Sequence, residues 1–265
     1  FSAAPSSRHP LFSGIVKHPL LKEKIYETIL DPIALPWLKQ HKVYDEIIVA
    51  GGFFLSAIYA ALQDFSSATQ WELHNIQFLQ PLRIAMGEAP VLTILFSEEE
   101  GAVQVELLTQ ADQQHKRLHA RAELRPATES IDSVAIDDWQ QSCQQAREPF
   151  ERDAFYIALK DSTHLFHGAD FQWNDKLWCT QDGVISRLLS PPGITLHPQV
   201  PLHAGLIDSA FQAIAALALF AGGDLPTAVP RSIARMRLHN ATSTQRLWCR
   251  SRISATNSNG ADIEI

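Results

Sequence analysis

The stretch Gly51–Leu62, GGFFLSAIYAAL, is apolar nearly all the way round a helical wheel. A helix of that kind has no face to offer water, so the rest of the fold has to enclose it. The residues that follow can do so. IQFLQPLRI (76–84), APVLTILFSEE (89–99), AVQVELLTQA (102–111) and RLHARAEL (117–124) alternate apolar and polar residues between Gly or acidic clusters. Antiparallel strands with one buried face read this way.

The plan then recurs. An amphipathic helix near Asp153–Lys160 is followed by strands around Phe171–Trp178 and Gly183–Leu189, then a PPG turn at 191–193. A second apolar helix, Ala204–Phe220, leads into strands near Ile233–His239 and Gln245–Ser254. Between the blocks, Pro126–Glu148 is polar and reads as a linker. The expected organisation is a first half over 1–126, a linker over 127–148 and a second half over 149–265, in an α+β chain with two similar halves.

With 265 residues and 46% apolar composition the chain can bury one large core or two smaller ones. Its net charge of −7, with scattered Lys and Arg, leaves no basic footprint for nucleic acid. Cys143, Cys179 and Cys249 have neither disulfide pairing nor metal-ligand spacing and suit a reducing cytoplasm. The opening FSAAPSSRHP lacks the order of a signal peptide and, without Met, reads as a piece of a longer chain. Ala204–Phe220 contains Asp208 and falls short of the about 20 apolar residues a membrane span needs, so it reads as a buried helix and no membrane is expected.

Two segments carry chemistry. In PWLKQHKV (36–43), His41 lies just upstream of the first apolar helix; on these residues alone it reads first as a capping or packing histidine. In HAGLIDSAFQ (203–212), Asp208 sits inside an apolar helix with Gln212 four residues on. Positions i and i+4 share a helix face about 6 Å apart along the axis, so Gln212 can hydrogen-bond the Asp208 carboxyl. A buried carboxyl is costly unless paired or protonated, which makes Asp208 the most informative residue; a purely structural Asp tied to backbone groups is the alternative.

In order and separation these segments resemble the dehydratase domains of modular polyketide synthases over nearly the whole chain. His9-Pro10-Leu11-Phe12 matches the family's HPLLG-like opening, and Trp37, Leu38 and His41 its HxxxGxxxxP element. Gly168, Phe171 and Gln172 match part of YGPxFQ, and Asp208 with Gln212 matches DxxxQ. The resemblance implies a double hotdog, two fused halves that each wrap a sheet around a long helix. It implies that His41 from the first half takes an α-proton, that Asp208 from the second protonates a departing β-hydroxyl, and that Gln212 orients the carboxyl. Gly51, Gly52 and Phe53 would allow close approach of the thioester to the helix N-terminus, and His167, Gly168, Phe171 and Gln172 would line the pocket. No metal or bound cofactor is expected; the substrate would arrive on the phosphopantetheine arm of an acyl carrier protein. Neighbouring synthase domains are the other implied partners, with homodimer pairing and a cytoplasmic location.

The sequence departs from the family pattern where Asp45 replaces the glycine and Ala50 the proline of HxxxGxxxxP, and where His167 and Ala169 replace the tyrosine and proline of YGPxFQ. Asp45 is either a tolerated left-handed residue or a carboxylate approaching His41. Loss of the proline keeps open a double-bond shift or pyran-forming oxa-Michael closure, and a non-catalytic scaffold is a third reading; the retained His41, Asp208 and Gln212 favour dehydration. His203 precedes the second helix and reads first as a satisfied structural histidine, with capping or orienting that helix as the alternative. His164 and His167 lack a third ligand at useful spacing, which argues against metal. Arg231, Arg235 and Arg237 alternate, as on a solvated strand face, and could otherwise meet an acidic carrier protein.

Overall fold

A helix without a polar face needs walls on every side, and a computed structural model shows how the chain builds them. The structure describes residues 9–16, 23–65, 71–99, 102–112, 115–127, 136–146, 148–181, 183–222, 225–238, 246–257 and 260–265. The first half runs β1 (Gly14–Val16), β2 (Lys24–Ile29), a 3-10 turn (Pro36–Gln40), β3 (His41–Val43), β4 (Glu46–Ile48), α1 (Gly51–Phe65), β5 (Trp71–Phe78), β6 (Arg83–Ile84), β7 (Val91–Glu99), β8 (Ala102–Gln110) and β9 (Lys116–Pro126). The second runs α2 (Ile136–Gln145), β10 (Phe150–Glu151), α3 (Arg152–Ser162), β11 (Leu165–His167), a 3-10 turn (Ala169–Phe171), β12 (Asn174–Thr180), β13 (Gly183–Leu189), α4 (Ala204–Gln212), α5 (Ala215–Ala221), β14 (Ser232–Arg237), β15 (Arg246–Asn257) and β16 (Gly260–Glu264).

Seven strands, in the order β1-β2-β7-β8-β9-β5-β14, form an antiparallel sheet against α1. Every second residue turns inward: Leu92, Ile94 and Phe96 from β7, Val103, Val105 and Leu107 from β8, Ala120, Ala122 and Leu124 from β9. Residues 52–62 of α1 are all buried. Two of its hydroxyls reach residues of the second half: Ser56 Oγ donates to the carbonyl of Leu202 at 2.6 Å and Tyr59 OH to that of Met236 at 3.1 Å. Each large aliphatic or aromatic side chain removed from water this way contributes about 1.5–3 kcal/mol, so the helix is held by its wall rather than by its own propensity.

A second sheet, β10-β12-β13-β15-β16, covers α4 and α5, and α4 packs along α1. A small third sheet, β11-β3-β4-β6, stitches the halves together. This is the double hotdog.

Several expectations need correction. The expected strand 76–84 is two strands, β5 and β6, separated at 79–82. The strand expected from Phe171 begins at Asn174, after a 3-10 turn. The single helix over Ala204–Phe220 is α4 and α5, because backbone bonds Ala216 N→Ala213 O and Leu217 N→Ile214 O tighten the turn between them. The expected linker contains α2, while its part at 128–135 lies outside the described residues, as do His239 and Gln245 at the ends of two expected strands. The strand at 232–237, expected in the second half, pairs with β5 and extends the first sheet. His41, expected just upstream of the first apolar helix, opens strand β3, with β4 between it and α1. By length and hydropathy Ala204–Ala221 passes as a membrane span, yet half of it is buried in the protein, as in a core helix.

Asp45 takes the first of its two readings. Tyr44 and Asp45, at φ 50° and 63°, form the two-residue turn joining β3 to β4, where Val43 pairs with Glu46. Both positions of such a turn need the left-handed region, which glycine occupies without strain. Removing the left-handed cost, about 1–2 kcal/mol for an ordinary L-residue and less for Asp, Asp45→Gly should raise stability, read as a higher denaturation midpoint at unchanged m-value; a lower midpoint would refute the strain.

Candidate active site

The third sheet decides where His41 goes. Antiparallel pairing of β3 with β11 sets His41 directly opposite His167, and the two rings lie 5.4 Å apart. Just before β3, Gln40 fastens the same seam: its Nε2 donates to Asp170 Oδ2 at 2.8 Å, its Oε1 accepts from Asp170 N, and its carbonyl accepts from Gly168 N at 2.6 Å. A Cβ on Gly168 would sit 2.7 Å from that of Gln40. The glycine is thus explained by this close approach.

His41 Nδ1 lies 2.7 Å from the carbonyl oxygen of Ile48. A carbonyl only accepts, so Nδ1 carries the proton and the neutral ring presents the Nε2 lone pair. That nitrogen faces Asp208 Oδ1 at 4.0 Å, with both side chains nearly enclosed. His167 Nε2 approaches Asp208 Oδ2 at 3.6 Å. Burial holds the His167 imidazole down to about 4; the Asp208 charge opposes this and His41 adds to it. His167 is accordingly neutral at physiological pH.

Asp208 comes from the middle of α4, and Gln212 Nε2 donates to its Oδ2 at 2.6 Å from one helical turn on. The same Nε2 lies 3.3 Å from the Phe171 carbonyl. That carbonyl also accepts from Ser209 Oγ at 2.9 Å and Tyr156 OH at 3.3 Å. Asn174 Nδ2 donates to Ser209 O at 2.9 Å, and Ser209 Oγ accepts from Trp173 N at 3.1 Å. These bonds lock α4 to the turn at 171–174 and so fix where Asp208 points. Burial raises the Tyr156 hydroxyl to about 12, keeping it a neutral donor. Sequence reasoning assigned no role in the site to Tyr156, Ser209, Asn174 or Gln40. Their partners lie 15 to 130 residues away, and the one available signal was a polar side chain next to Asp208 in an apolar helix.

The remaining expected pocket residues divide. Phe171 packs its ring 5.3 Å from His41. Gln172 Nε2 is engaged by the carbonyl of His167 at 2.7 Å, bracing the turn. Gly51 abuts the Phe78 ring, and Phe53 is buried against Trp37. Gly52 lies against α4, where an added Cβ would meet Ala204 O at 2.6 Å and Asp208 N at 3.1 Å. Helix contact thus accounts for the small residue at 52.

His203 caps α4, its Nδ1 accepting from Gly205 N at 3.1 Å, and burial lowers it from 6.5 to about 4. Between these values the unfolded chain binds a proton that the folded chain refuses, so stability falls as pH drops from 6.5 to 4. The full effect is on the order of 3 kcal/mol. His203→Asn keeps a capping oxygen without titrating in that window. Denaturant unfolding at the two ends of the window should show a smaller loss in the variant than in the parent; equal losses would contradict the assignment.

Within the described residues, His41, His167 and Asp208 are all buried and place their ligating atoms within 4.8 Å of one another. They come from three distant segments, which is why spacing along the sequence gave no such cluster. The arrangement offers an imidazole lone pair, a carboxyl oriented by an amide, and a second imidazole beside that carboxyl's other oxygen. It is a set of groups that can take a proton from one atom and give one to its neighbour.

Known proteins share this frame. A family model described as the polyketide synthase dehydratase N-terminal domain matches residues 132–265, and one described as the polyketide synthase dehydratase domain matches residues 9–110. A phenolphthiocerol/phthiocerol polyketide synthase of Mycobacterium tuberculosis is 24% identical over 217 residues, which is 80% of this chain and 12% of that protein. Polyketide synthase PksN of Bacillus subtilis is 23% identical over 257 residues, 91% of this chain and 4% of its own length. The chain therefore spans a small fraction of these curated relatives. Among solved structures, the dehydratase domain from the CurJ module of curacin polyketide synthase superposes with a TM-score of 0.82 at 25% identity, covering 95% of this chain and 86% of that one. The dehydratase domain of a mycocerosic acid synthase-like synthase gives 0.81 at 22% identity, covering 97% and 89%.

Proposed function

The chain belongs to the polyketide synthase dehydratase family, a dehydratase of polyketide biosynthesis, and from that premise we propose that His41 is the base and Asp208 the acid of its elimination. The observation that carries this is the Ile48 carbonyl on His41 Nδ1, which leaves Nε2 as the lone pair facing Asp208. His41 Nε2 takes the α-proton of a β-hydroxyacyl thioester. The C–H electrons form the new double bond as the β-carbon–oxygen bond breaks, and the departing oxygen takes the Asp208 proton and leaves as water. With His41 Nε2 and Asp208 Oδ1 4.0 Å apart, the imidazolium can hand its proton back to the carboxylate once water has gone. Gln212 holds Oδ2, which leaves Oδ1 for the hydroxyl. Backbone N–H groups at the start of α1 would receive the charge that develops on the thioester oxygen.

The same reading extends to the partners. The substrate is carried on the phosphopantetheine arm of an acyl carrier protein, so the domain binds no cofactor of its own. It works in the cytoplasm beside the other domains of a modular synthase, as a homodimer. The division into halves at 1–126 and 149–265 is kept, with the His on the first and the Asp on the second, and with β14 lent back to the first sheet.

The test is to incubate the domain with a β-hydroxyacyl carrier-protein thioester and weigh the product. Loss of the mass of one water is expected. An unchanged mass with a moved alkene or a new ring would replace dehydration by double-bond migration or cyclisation, and no reaction at all would leave a scaffold.

A further inference from the structure

We propose that His41, His167 and Asp208 also form a binding site for a borderline divalent cation of the zinc type, and that the cation, when bound, switches the dehydratase off. Two imidazoles and one carboxylate, on three segments, are the donor set that first-row divalent metals take from proteins. The ligating atoms already lie within 4.8 Å of one another, with His167 Nε2 at 3.6 Å and His41 Nε2 at 4.0 Å from the two carboxyl oxygens. Small side-chain rotations bring such a set to the about 2.0–2.2 Å that Zn–N and Zn–O bonds require.

Two further observations support it. Histidine ligands characteristically donate their second ring N–H to a carbonyl or carboxylate, and His41 Nδ1 does so to Ile48 at 2.7 Å. Gln212 holds the carboxyl that would ligate, and its Oε1 is buried with no hydrogen-bond partner among the described residues, an acceptor that a cation or its bound water would satisfy. The second imidazole completes the set. It stands in this sequence where the family pattern has a tyrosine, so the trap follows from that departure at His167. The metal would take the Nε2 lone pair that the elimination needs, so metal and α-proton compete for one atom. The inhibition, though not the binding, rests on His41 being the base.

The binding is measured without substrate. Chelator-treated protein is titrated with Zn²⁺ by calorimetry, and with Co²⁺ while the visible absorption of a nitrogen-ligated ion is followed. One ion per chain is expected, at least tenfold weaker in His167→Phe and in His41→Phe, whose thermal unfolding is checked alongside; His167→Gln serves if the phenylalanine does not fold. Equal affinity in parent and variants would overturn the proposal by placing the ion elsewhere, for instance at the exposed His115–Asp112 pair. Absence of binding overturns it as well. In the second arm, Zn²⁺ should slow water loss at least tenfold and a chelator should restore it. No water loss even without metal would count against the dehydratase reading alone, since the calorimetry stands by itself.

Discussion

Asp208→Asn should abolish water loss from a β-hydroxyacyl carrier-protein thioester, by about 10²–10⁴-fold, in a chain that still folds. The substitution keeps the shape of the side chain, and an amide oxygen can still accept from Gln212 Nε2, which now lies 2.6 Å from the carboxyl. What is lost is the proton for the leaving hydroxyl. His41→Phe should be equally inactive for the complementary reason, because no lone pair then faces the α-carbon. Together the two changes should cost little more than either alone, since acid and base act in one elimination. Rates are read by mass spectrometry of the carrier-bound acyl chain. Full dehydration by Asp208→Asn would remove the residue from the mechanism.

The second large effect falls on a residue with no side chain to react. Gly52→Ala places a methyl group 2.6 Å from Ala204 O, 3.1 Å from Asp208 N and 3.3 Å from Ile207 Cβ, all on α4. Backbone cannot rotate aside as a side chain can, so α4 must move, at a cost of about 3 kcal/mol. Because α4 carries Asp208, the shift also displaces the acid, and a misplacement near 1 Å costs about 100-fold in rate. Gly51→Ala is the control. Its methyl group would meet the edge of the Phe78 ring at 3.2 Å and the Pro230 ring at 3.5 Å, contacts that side chains can relieve. Denaturant melts should separate the two variants clearly. If Gly52→Ala is as stable and as active as Gly51→Ala, the contact between α1 and α4 does not set the site.

These two predictions mark what the sequence makes legible and what it hides. An all-apolar Gly51–Leu62 could only be a surrounded helix, and the strands around it announce themselves by alternation over nine to eleven residues. Asp208 with Gln212 is equally plain, because a carboxyl and an amide four apart in an apolar helix have few other uses. His41 is different. Its strand is three residues long, too short for any period, and so is the β11 strand that pairs with it. The register that sets His41 opposite His167 joins positions 126 apart and leaves no local trace; only the family resemblance brought His41 and Asp208 together.

Where the reading failed, local signals were weak or pointed nowhere. The break between α4 and α5 falls at Ala213 and Ile214, with no Gly or Pro to mark it, and both residues keep right-handed helical backbone angles. Strand β14 reads as a strand, but nothing in SIARMR says that it will cross to the first sheet. Gly52 and Gly168 read as room for substrate. They are also points of close approach between segments far apart in the chain, α4 against one and Gln40 against the other. Glycine required by packing and glycine required by a ligand look the same in sequence.

The most direct measurement is a crystal structure of the His41→Phe variant holding a β-hydroxyacyl pantetheine. The account predicts one ligand reaching both halves, with its β-oxygen within about 3.2 Å of Asp208 Oδ1 and its α-carbon against the ring at position 41. A ligand seated with its β-oxygen away from Asp208, or its α-carbon out of reach of position 41, would contradict it.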